Sequence, residues 1–185
     1  MLAKQSFRLL TFCVMSILDD NHSGEIIMLT PGTIAPNFRL LDQDGNTVEL
    51  TEFKGKQAVV LFFYPKDDTP GCTAQACNLR DHHSKLLKAG FVVIGVSPDD
   101  VASHQKFTSK YKLPFTLIAD PGHTILEKYG VWGEKKLYGR TYMGVQRTTF
   151  LVDEKGIIRK IFLRPDTKNH SEEVLMAAKE IGMTP

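Results

Sequence analysis

The feature that constrains this chain most is a buried strand leading directly into a helix that carries two cysteines. Residues 58–64, AVVLFFY, form a continuous apolar run rich in β-branched and aromatic side chains. Such a run is typical of a strand buried on both faces. Pro65 ends the run, and a short polar loop precedes Thr69 and Pro70. Threonine is favoured at a helix N-cap and proline at the first helical position, so a helix is predicted to begin at Pro70.

Cys72 is then the third residue of the predicted helix and lies in its first turn. The first turn presents unpaired backbone N–H groups and the positive end of the helix dipole, and both favour a thiolate over a thiol. The capping hydroxyl of Thr69 is expected near the backbone N–H of residue 72, and hence near the sulfur. Most free cysteines are inert and buried, but Gly71 and the polar loop favour an accessible position here. Cys72 is therefore the candidate nucleophile.

Cys77 follows five residues later on the same predicted helix. On a regular helix the two Cα atoms are roughly 8 to 9 Å apart, which exceeds the limit of about 7 Å for a disulfide. If these two cysteines pair, the helix must unwind at each oxidation.

The remaining chain alternates strands and helices after an N-terminal hairpin over residues 38–50. Further strands are predicted at residues 91–97, 116–119, 147–152 and 157–163. Helices are predicted at residues 70–88, 98–112, 124–129 and 171–181, and residues 130–143 are interpreted as a long loop. This order predicts an α/β, thioredoxin-like fold with a central mixed sheet, helices on both faces and an added N-terminal β-hairpin. The site is expected at the carboxyl ends of the central strands.

Composition narrows the class of protein further. The formal net charge of +2 and the scattered basic residues argue against nucleic acid or an anionic membrane surface as partner. Three cysteines are too few for a disulfide scaffold, and they favour a reducing, cytoplasmic compartment with a transient redox role.

The predicted domain covers residues 29–185, and residues 1–28 are interpreted as an N-terminal extension. The extension is either disordered or an artefact of a start upstream of Met28. Its apolar run, residues 9–18, is too short to span a membrane. Cys13 lies in this extension and is interpreted as non-catalytic.

Neither a metal nor a cofactor is predicted. Cys72, Cys77, His82 and His83 share one predicted helix. The two cysteines face different sides and adjacent histidines diverge, so these side chains do not converge tetrahedrally as zinc requires. Residues 130–144 lack a phosphate-cradling glycine pattern.

Several other polar and aromatic residues receive structural interpretations. Asp67 and Asp68 are expected to be solvated loop residues. Trp132 and Tyr138 are expected either to pack within the fold or to edge the site. The histidines without ligand spacing are expected on the surface, namely His104, His123 and His170.

The segment from Pro65 to Cys72, PKDDTPGC, matches the P-x-x-x-T-x-x-C signature of peroxiredoxins. Cys77, five residues further on, resembles the bacterioferritin-comigratory, or peroxiredoxin Q, branch of that family. The resemblance extends over residues 29–182, and its further matches are residues 62–67, 95–97, 138–140 and 144–150.

The resemblance implies a thiol peroxidase that uses no metal or haem and reduces hydrogen peroxide and organic hydroperoxides. Cys72 would be the peroxidatic cysteine that becomes a sulfenic acid, and Cys77 the resolving cysteine that forms an intramolecular disulfide. Thioredoxin or a similar dithiol protein would reduce that disulfide. Thr69 would hydrogen-bond the thiolate and the peroxide, Arg147 would supply a permanent positive charge beside the sulfur, and Pro65 would shield the sulfur from water. An internal resolving cysteine favours a monomer.

The chain departs from the resemblance at one position near the cysteine. Gln75 stands where many members of the branch carry glutamate, and a neutral amide holds an arginine less firmly than a carboxylate. From the residues alone, two alternatives stay open. One is a protein thiol–disulfide oxidoreductase, against which the lack of a C-x-x-C pair at the helix start counts. The other is a redox sensor or redox-regulated chaperone, which predicts slow turnover with a thioredoxin system and activity tied to oligomerisation.

Overall fold

The computed structural model describes residues 29–137 and 139–183. The strands in this part of the chain are β1 (Arg39–Leu41), β2 (Thr47–Glu49), β3 (Ala58–Phe63), β4 (Phe91–Ser97), β5 (Thr116–Ala119), β6 (Trp132–Leu137), β7 (Arg140–Val145), β8 (Thr148–Val152) and β9 (Ile158–Leu163). The α-helices are α1 (Pro70–Asp81), α2 (His83–Lys88), α3 (Val101–Tyr111), α4 (Thr124–Lys128) and α5 (His170–Glu180). A 3₁₀ turn, Leu50–Phe53, precedes β3.

The central sheet is mixed and has the strand order β5-β4-β3-β8-β9. β3 pairs in parallel with β4, and β4 with β5, whereas β8 runs antiparallel to β3 and β9 antiparallel to β8. β3 is therefore the middle strand, and all six of its residues are buried. The predicted thioredoxin-like α/β fold with a mixed sheet is confirmed.

The apolar side chains of β3 point alternately to two cores, one on each face of the sheet. Val60 and Phe62 pack with residues of α1, α2 and α5, whereas Leu61 and Phe63 pack with α4 and the N-terminal segment. Gly95 on β4 leaves room for this packing, because an added Cβ would lie 2.7 Å from the ring of Phe62. Helices thus cover both faces, as the element order predicts.

The N-terminal hairpin forms as predicted, with an Asp-Gly turn between β1 and β2. The Asp42 carboxylate accepts hydrogen bonds from the backbone N–H of Asp44, at 2.9 Å, and of Asn46, at 2.8 Å. Gly45 takes a φ of +80°, which glycine adopts at low cost. A bridge between Asp42 and Ile118 attaches the hairpin to β5.

The single helix predicted over residues 70–88 is in fact two helices, which meet at His82. The backbone of His82 leaves the helical region, with φ of −109° and ψ of 10°. Its ring Nδ1 lies 3.0 Å from the carbonyl oxygen of Asn78, four residues earlier. A side chain that competes for a helix carbonyl favours such an interruption. α1, with both cysteines, therefore ends at Asp81 as a separate unit.

The long loop predicted over residues 130–143 is wrong, because this segment forms the β6–β7 hairpin. Trp132 pairs with Val145 at one end of the hairpin, and Gly139, with φ of +76°, lies in the connection at the other. Most of β7 is exposed, so the hairpin has little of the alternating apolar pattern that reveals a half-buried strand. Trp132 stacks on His123, with the ring centroids 3.8 Å apart.

Some predictions fall outside the described residues, namely those on residues 1–28, including Cys13, and on Tyr138. Within the described part of the chain, no helix is long and apolar enough to cross a membrane.

Candidate active site

The connection between β3 and α1 positions Cys72. Thr69 stands at the N-cap in extended conformation, with φ of −91° and ψ of 150°, and Pro70 is the first helical residue. Cys72 is therefore the third residue of α1, as predicted. The first turn of the helix lies at the carboxyl end of the middle strand, where open α/β sheets place their ligand sites.

The accessible position predicted for Cys72 is wrong, because only 2% of this residue is exposed. The side chain lies under the first turn, in the apolar core that also contains Phe62, Tyr64 and Ala76. The polar loop precedes the helix but leaves the sulfur covered. Burial alone disfavours a thiolate, so an ionised Cys72 depends on groups that stabilise its charge.

Arg147 brings a guanidinium to the sulfur from the neighbouring strand. It directly precedes β8, whose first residue, Thr148, pairs with Phe63 at the end of β3. Its Nη2 donates to the Sγ of Cys72 at 3.2 Å. An added Cβ on Gly71 would lie 3.4 Å from the same nitrogen, so glycine here leaves space for the guanidinium. The structure brings these two sequence-predicted residues together.

Gln75 supplies the second contact of the guanidinium. Its Oε1 accepts a hydrogen bond of 2.6 Å from Nη1 of Arg147. The side chain is completely buried, one helical turn after Cys72. The fork of an arginine can donate in two directions at once, and here one nitrogen faces the sulfur while the other is held by an amide. The glutamine therefore orients the arginine without adding a negative charge beside the sulfur.

Thr69 does not make the capping bond predicted for it. Its hydroxyl donates to the carbonyl oxygen of Lys66 at 3.0 Å and does not cap a backbone N–H of the helix. A hydroxyl that donates in this way still has lone pairs free to accept. Pro65, half-buried, begins the same loop.

Asp67, in the loop before Thr69, is a buried residue whose role in holding that loop the sequence interpretation missed. Predicted to be solvated, it is only 7% exposed. Its carboxylate accepts hydrogen bonds from the hydroxyls of Tyr64, at 2.7 Å, and Ser103, at 2.8 Å. Its backbone N–H donates to Asp99 at 2.8 Å. Burial and the Asp67 carboxylate raise the pKa of Tyr64, so this hydroxyl stays a donor. The loop that leads to Thr69 is thus fixed to α3 and to the segment before it.

His104 completes this buried network, and the surface position predicted for it is wrong. The residue is fully buried on α3. Its Nδ1 lies 2.8 Å from Oδ2 of Asp67, and its Nε2 lies 3.1 Å from the carbonyl oxygen of Ile118. No local pattern predicts this pairing, because the two side chains are 37 positions apart and meet only through the fold.

His170 is also buried, contrary to its predicted surface position. Its Nε2 lies 2.9 Å from the hydroxyl of Thr149, and its Nδ1 lies 2.9 Å from the carboxylate of Glu173. Burial lowers its pKa below the usual 6.5, and the charge of Arg147 acts in the same direction, although Glu173 opposes them. The start of α5 therefore packs against β8 close to the arginine.

Cys77 is half-buried on the same unbroken helix as Cys72, and both thiols are free. The two cysteines therefore lie on one continuous helix, which is the arrangement that predicts unwinding when they form a disulfide. Among the described residues, no group of three or more histidine, cysteine, aspartate or glutamate side chains could hold a metal ion.

The fold and the site define the class: a thioredoxin-like protein with a buried cysteine in the first turn of a helix and an arginine in contact with its sulfur. The model of the AhpC/TSA family matches residues 31–161. The chain belongs to this family, and within it to the Bcp peroxiredoxins.

Three relatives illustrate the likeness. Peroxiredoxin Bcp of Escherichia coli is 49% identical over 152 residues, covering 82% of this chain and 97% of that protein. The structure of peroxidoxin BcpB from Mycobacterium tuberculosis has a TM-score of 0.74 and 30% identity, covering 83% of this chain and 98% of that one. The bacterioferritin comigratory protein of Xanthomonas campestris, described with alkyl peroxide reduction activity, has a TM-score of 0.72 and 31% identity, covering 77% of this chain and 90% of that one. The resemblance to the bacterioferritin-comigratory branch is confirmed.

Proposed function

We propose that Cys72 is the peroxidatic cysteine of this enzyme and that Arg147 activates it. As a Bcp peroxiredoxin, the chain is a thiol peroxidase that reduces hydroperoxides. The observation that carries the assignment is the contact of 3.2 Å between Arg147 Nη2 and Cys72 Sγ, in the first turn of α1. A permanent cation and the helix N-terminus offset the cost of ionising a buried thiol.

The first step is a displacement at oxygen. The Cys72 thiolate attacks the terminal oxygen of the hydroperoxide, so an S–O bond forms as the O–O bond breaks. Sulfur is oxidised to the sulfenic acid, and the leaving oxygen departs as water or an alcohol after it takes a proton. The Arg147 guanidinium lies where negative charge moves from sulfur to the leaving oxygen, so it stabilises the thiolate and the transition state.

Thr69 and Pro65 are proposed to shape the space in which the peroxide binds. The Thr69 hydroxyl donates to Lys66, so its free lone pairs are available to a peroxide O–H. This polarity orients the hydroperoxide with its terminal oxygen toward the sulfur. Pro65 has no N–H and presents an apolar ring, which keeps competing water away.

Cys77 is proposed to resolve the sulfenic acid. Its sulfur attacks the sulfur of Cys72, a disulfide forms and water leaves. Because α1 separates the two thiols along one helix, this step requires residues between them to leave the helical conformation. A dithiol protein such as thioredoxin then reduces the disulfide by thiol exchange, which restores both thiols. No second subunit is needed for the cycle, so we propose a monomer, working in the reducing environment of the cytoplasm.

A coupled assay tests the proposal. Thioredoxin, thioredoxin reductase and NADPH are supplied with hydrogen peroxide or an organic hydroperoxide, and NADPH oxidation is followed. The Cys72→Ser variant is expected to show none above background, whereas the matched Cys13→Ser variant keeps the wild-type rate. Equal turnover of wild type and Cys72→Ser would refute the assignment. Thiol–disulfide exchange on a protein substrate without peroxide consumption would instead favour an oxidoreductase.

A further inference from the structure

Asn78, the residue directly after Cys77, connects α1 to the start of α5. Its Nδ2 donates to the carbonyl oxygen of Lys168 at 2.7 Å. Its Oδ1 accepts from the backbone N–H of Ser171 at 2.8 Å. One amide therefore makes two hydrogen bonds to a segment that lies 90 or more residues further along the chain. We refer to these two hydrogen bonds as the Asn78 clamp.

The clamp fills a gap at the N-terminus of α5. The N-cap of α5 is Asn169, which makes no side-chain capping bond to the helix. Backbone N–H groups of a first helical turn need acceptors from elsewhere. Asn78 Oδ1 is such an acceptor for Ser171, which is completely buried. α1 thus caps α5, and the two helices hold each other in place at this point.

The position of the clamp couples it to the redox cycle. Cys77 can meet Cys72 only if α1 unwinds, and Asn78 moves with Cys77 because the two are adjacent. Unwinding that extends past Cys77 breaks both hydrogen bonds of the clamp. The free energy of the clamp is then part of the barrier to resolution and no part of the reaction of Cys72 with peroxide, which takes place in the folded helix.

We propose that Asn78 is a positioning residue that sets the partition of oxidised Cys72 between disulfide and sulfinic acid. The proposal rests on the proposed roles of Cys72 and Cys77. The sulfenic acid has two outcomes: it condenses with the Cys77 thiol to give a disulfide and water, or a second hydroperoxide oxidises it to sulfinic acid and is itself reduced to water or alcohol. By keeping α1 folded, the clamp slows the first outcome and prolongs exposure to the second.

The Asn78→Ala variant tests the clamp. Loss of two neutral hydrogen bonds is expected to increase the unwound population of α1, and hence the rate of disulfide formation, by about tenfold. Rapid mixing with one equivalent of hydrogen peroxide, acid quenching and intact-mass analysis gives that rate. With excess peroxide and the thioredoxin system, the sulfinic acid formed on Cys72 per turnover is expected to fall by a similar factor. The rate of the first oxidation, measured in a Cys77→Ser background, is expected to stay unchanged.

Asn169→Ala is the matched control. It removes a side chain of the same type from the start of α5, where the Asn169 amide donates to Asp166, and leaves the clamp intact. It is expected to form the disulfide at the wild-type rate. If it accelerates the disulfide as much as Asn78→Ala does, general weakening of α5 explains the effect and the clamp is refuted.

Further outcomes distinguish a failure of the clamp proposal from a failure of the proposed function. If Asn78→Ala does not fold, Asn78→Ser, whose short hydroxyl cannot span both partners, is measured in the same way and is expected to show the same acceleration. An unchanged or slower disulfide step in the variant that folds, with normal sulfenic acid formation, overturns the clamp alone. If Cys72 of the wild type does not react with peroxide, the proposed function fails.

Discussion

The two halves of α1 each carry a cysteine thiol, in opposite surroundings. Cys72, at the start, is 2% exposed and contacts Arg147 within the apolar core. Cys77, beyond the middle of the helix, is half-buried. Under the proposed function, the buried thiol beside the arginine reacts with peroxide, and the half-buried thiol has to move to reach it.

The two halves of α1 also differ in how deeply their hydrogen bonds to the rest of the fold are buried. The start of α1 follows a loop held by Asp67, whose partners Tyr64 and His104 are buried. The second half is attached to α5 by Asn78 and to the end of α3 by Arg80, which donates to the Tyr111 carbonyl at 2.7 Å. Both of these attachments lie nearer the surface. In the proposed cycle, the half of α1 with Cys72 is therefore expected to stay fixed while the half with Cys77 unwinds.

The largest effect is expected from the Cys77→Ser variant, which separates the reaction of Cys72 with peroxide from the proposed resolution by Cys77. When one equivalent of peroxide is supplied, Cys77→Ser is expected to consume it at the wild-type rate and then to show no turnover with thioredoxin, because the sulfenic acid has no partner thiol. Stopped-flow peroxide consumption and trapping of the sulfenic acid with dimedone measure the two parts. Continued turnover with thioredoxin would show that α1 does not need Cys77 for resolution. Addition of a small external thiol is expected to restore turnover and serves as the control.

Removing the positive charge of Arg147 is expected to affect mainly the reaction of Cys72. Arg147→Ala should slow the first oxidation by about 10²–10³-fold, the usual effect of losing a donor aimed at developing charge. Arg147→Lys keeps the charge, but one ammonium cannot reproduce both contacts of the fork, so an intermediate rate is expected. The rate of alkylation of Cys72 by iodoacetamide at neutral pH reports the thiolate separately. An alanine variant with the wild-type first oxidation rate would contradict the assigned role.

A substitution of Asp67 tests how firmly the buried network holds the loop before Cys72. Asp67→Asn replaces the buried carboxylate that accepts from the Tyr64 and Ser103 hydroxyls with a neutral amide, and a buried polar group left without its partner costs about 1–3 kcal/mol of unfolding free energy. The first oxidation is expected to slow several-fold as the loop carrying Thr69 loosens. Urea unfolding and stopped-flow oxidation measure these effects.

The neighbouring aspartate provides the matched control for the network. Asp68 is exposed and bonds to Lys110 and Tyr111 at the surface. Asp68→Asn is expected to change stability and rate little, because solvent screens such pairs. Equal effects of the two substitutions would mean that burial of Asp67 does not stabilise the loop.

The sequence predicts the parts of this site that depend on local order. A strand, a proline, an N-cap and a cysteine in fixed succession place Cys72 correctly in the first turn of α1. The central sheet follows for the same reason, because β3 and β4 are apolar runs with clear ends. Arg147 is predicted only from the family resemblance. It lies far from Cys72 in the sequence, so no local pattern indicates its contact with the sulfur.

The errors concern polar residues that the fold buries and strands that it exposes. Asp67 and His104 look like solvated surface residues until α3 brings them together, and no spacing in the sequence announces that pairing. The β6–β7 hairpin is the converse case, since a largely exposed pair of strands lacks the apolar alternation on which strand prediction depends. Both errors arise where tertiary contacts override the local pattern.

The smallest effect is expected for the attachment of α1 to α5 and for its dependence on pH. The folded protein lowers the pKa of His170 below 6.5, mainly through burial, so the unfolded chain binds this proton more readily than the folded protein does. Its contribution to stability is therefore complete above the unfolded pKa and is lost as the pH falls from about 6.5 through the folded value. In His170→Asn, urea midpoints measured between pH 7.5 and 5.5 should fall less steeply than in the wild type. Because His170 directly precedes Ser171, whose N–H bonds to Asn78, the hydrogen-exchange protection factors in the second half of α1 should fall with acid in the wild type. The first turn, which contains Cys72, should stay protected, and equal loss of protection at both ends would show that α1 opens as one unit.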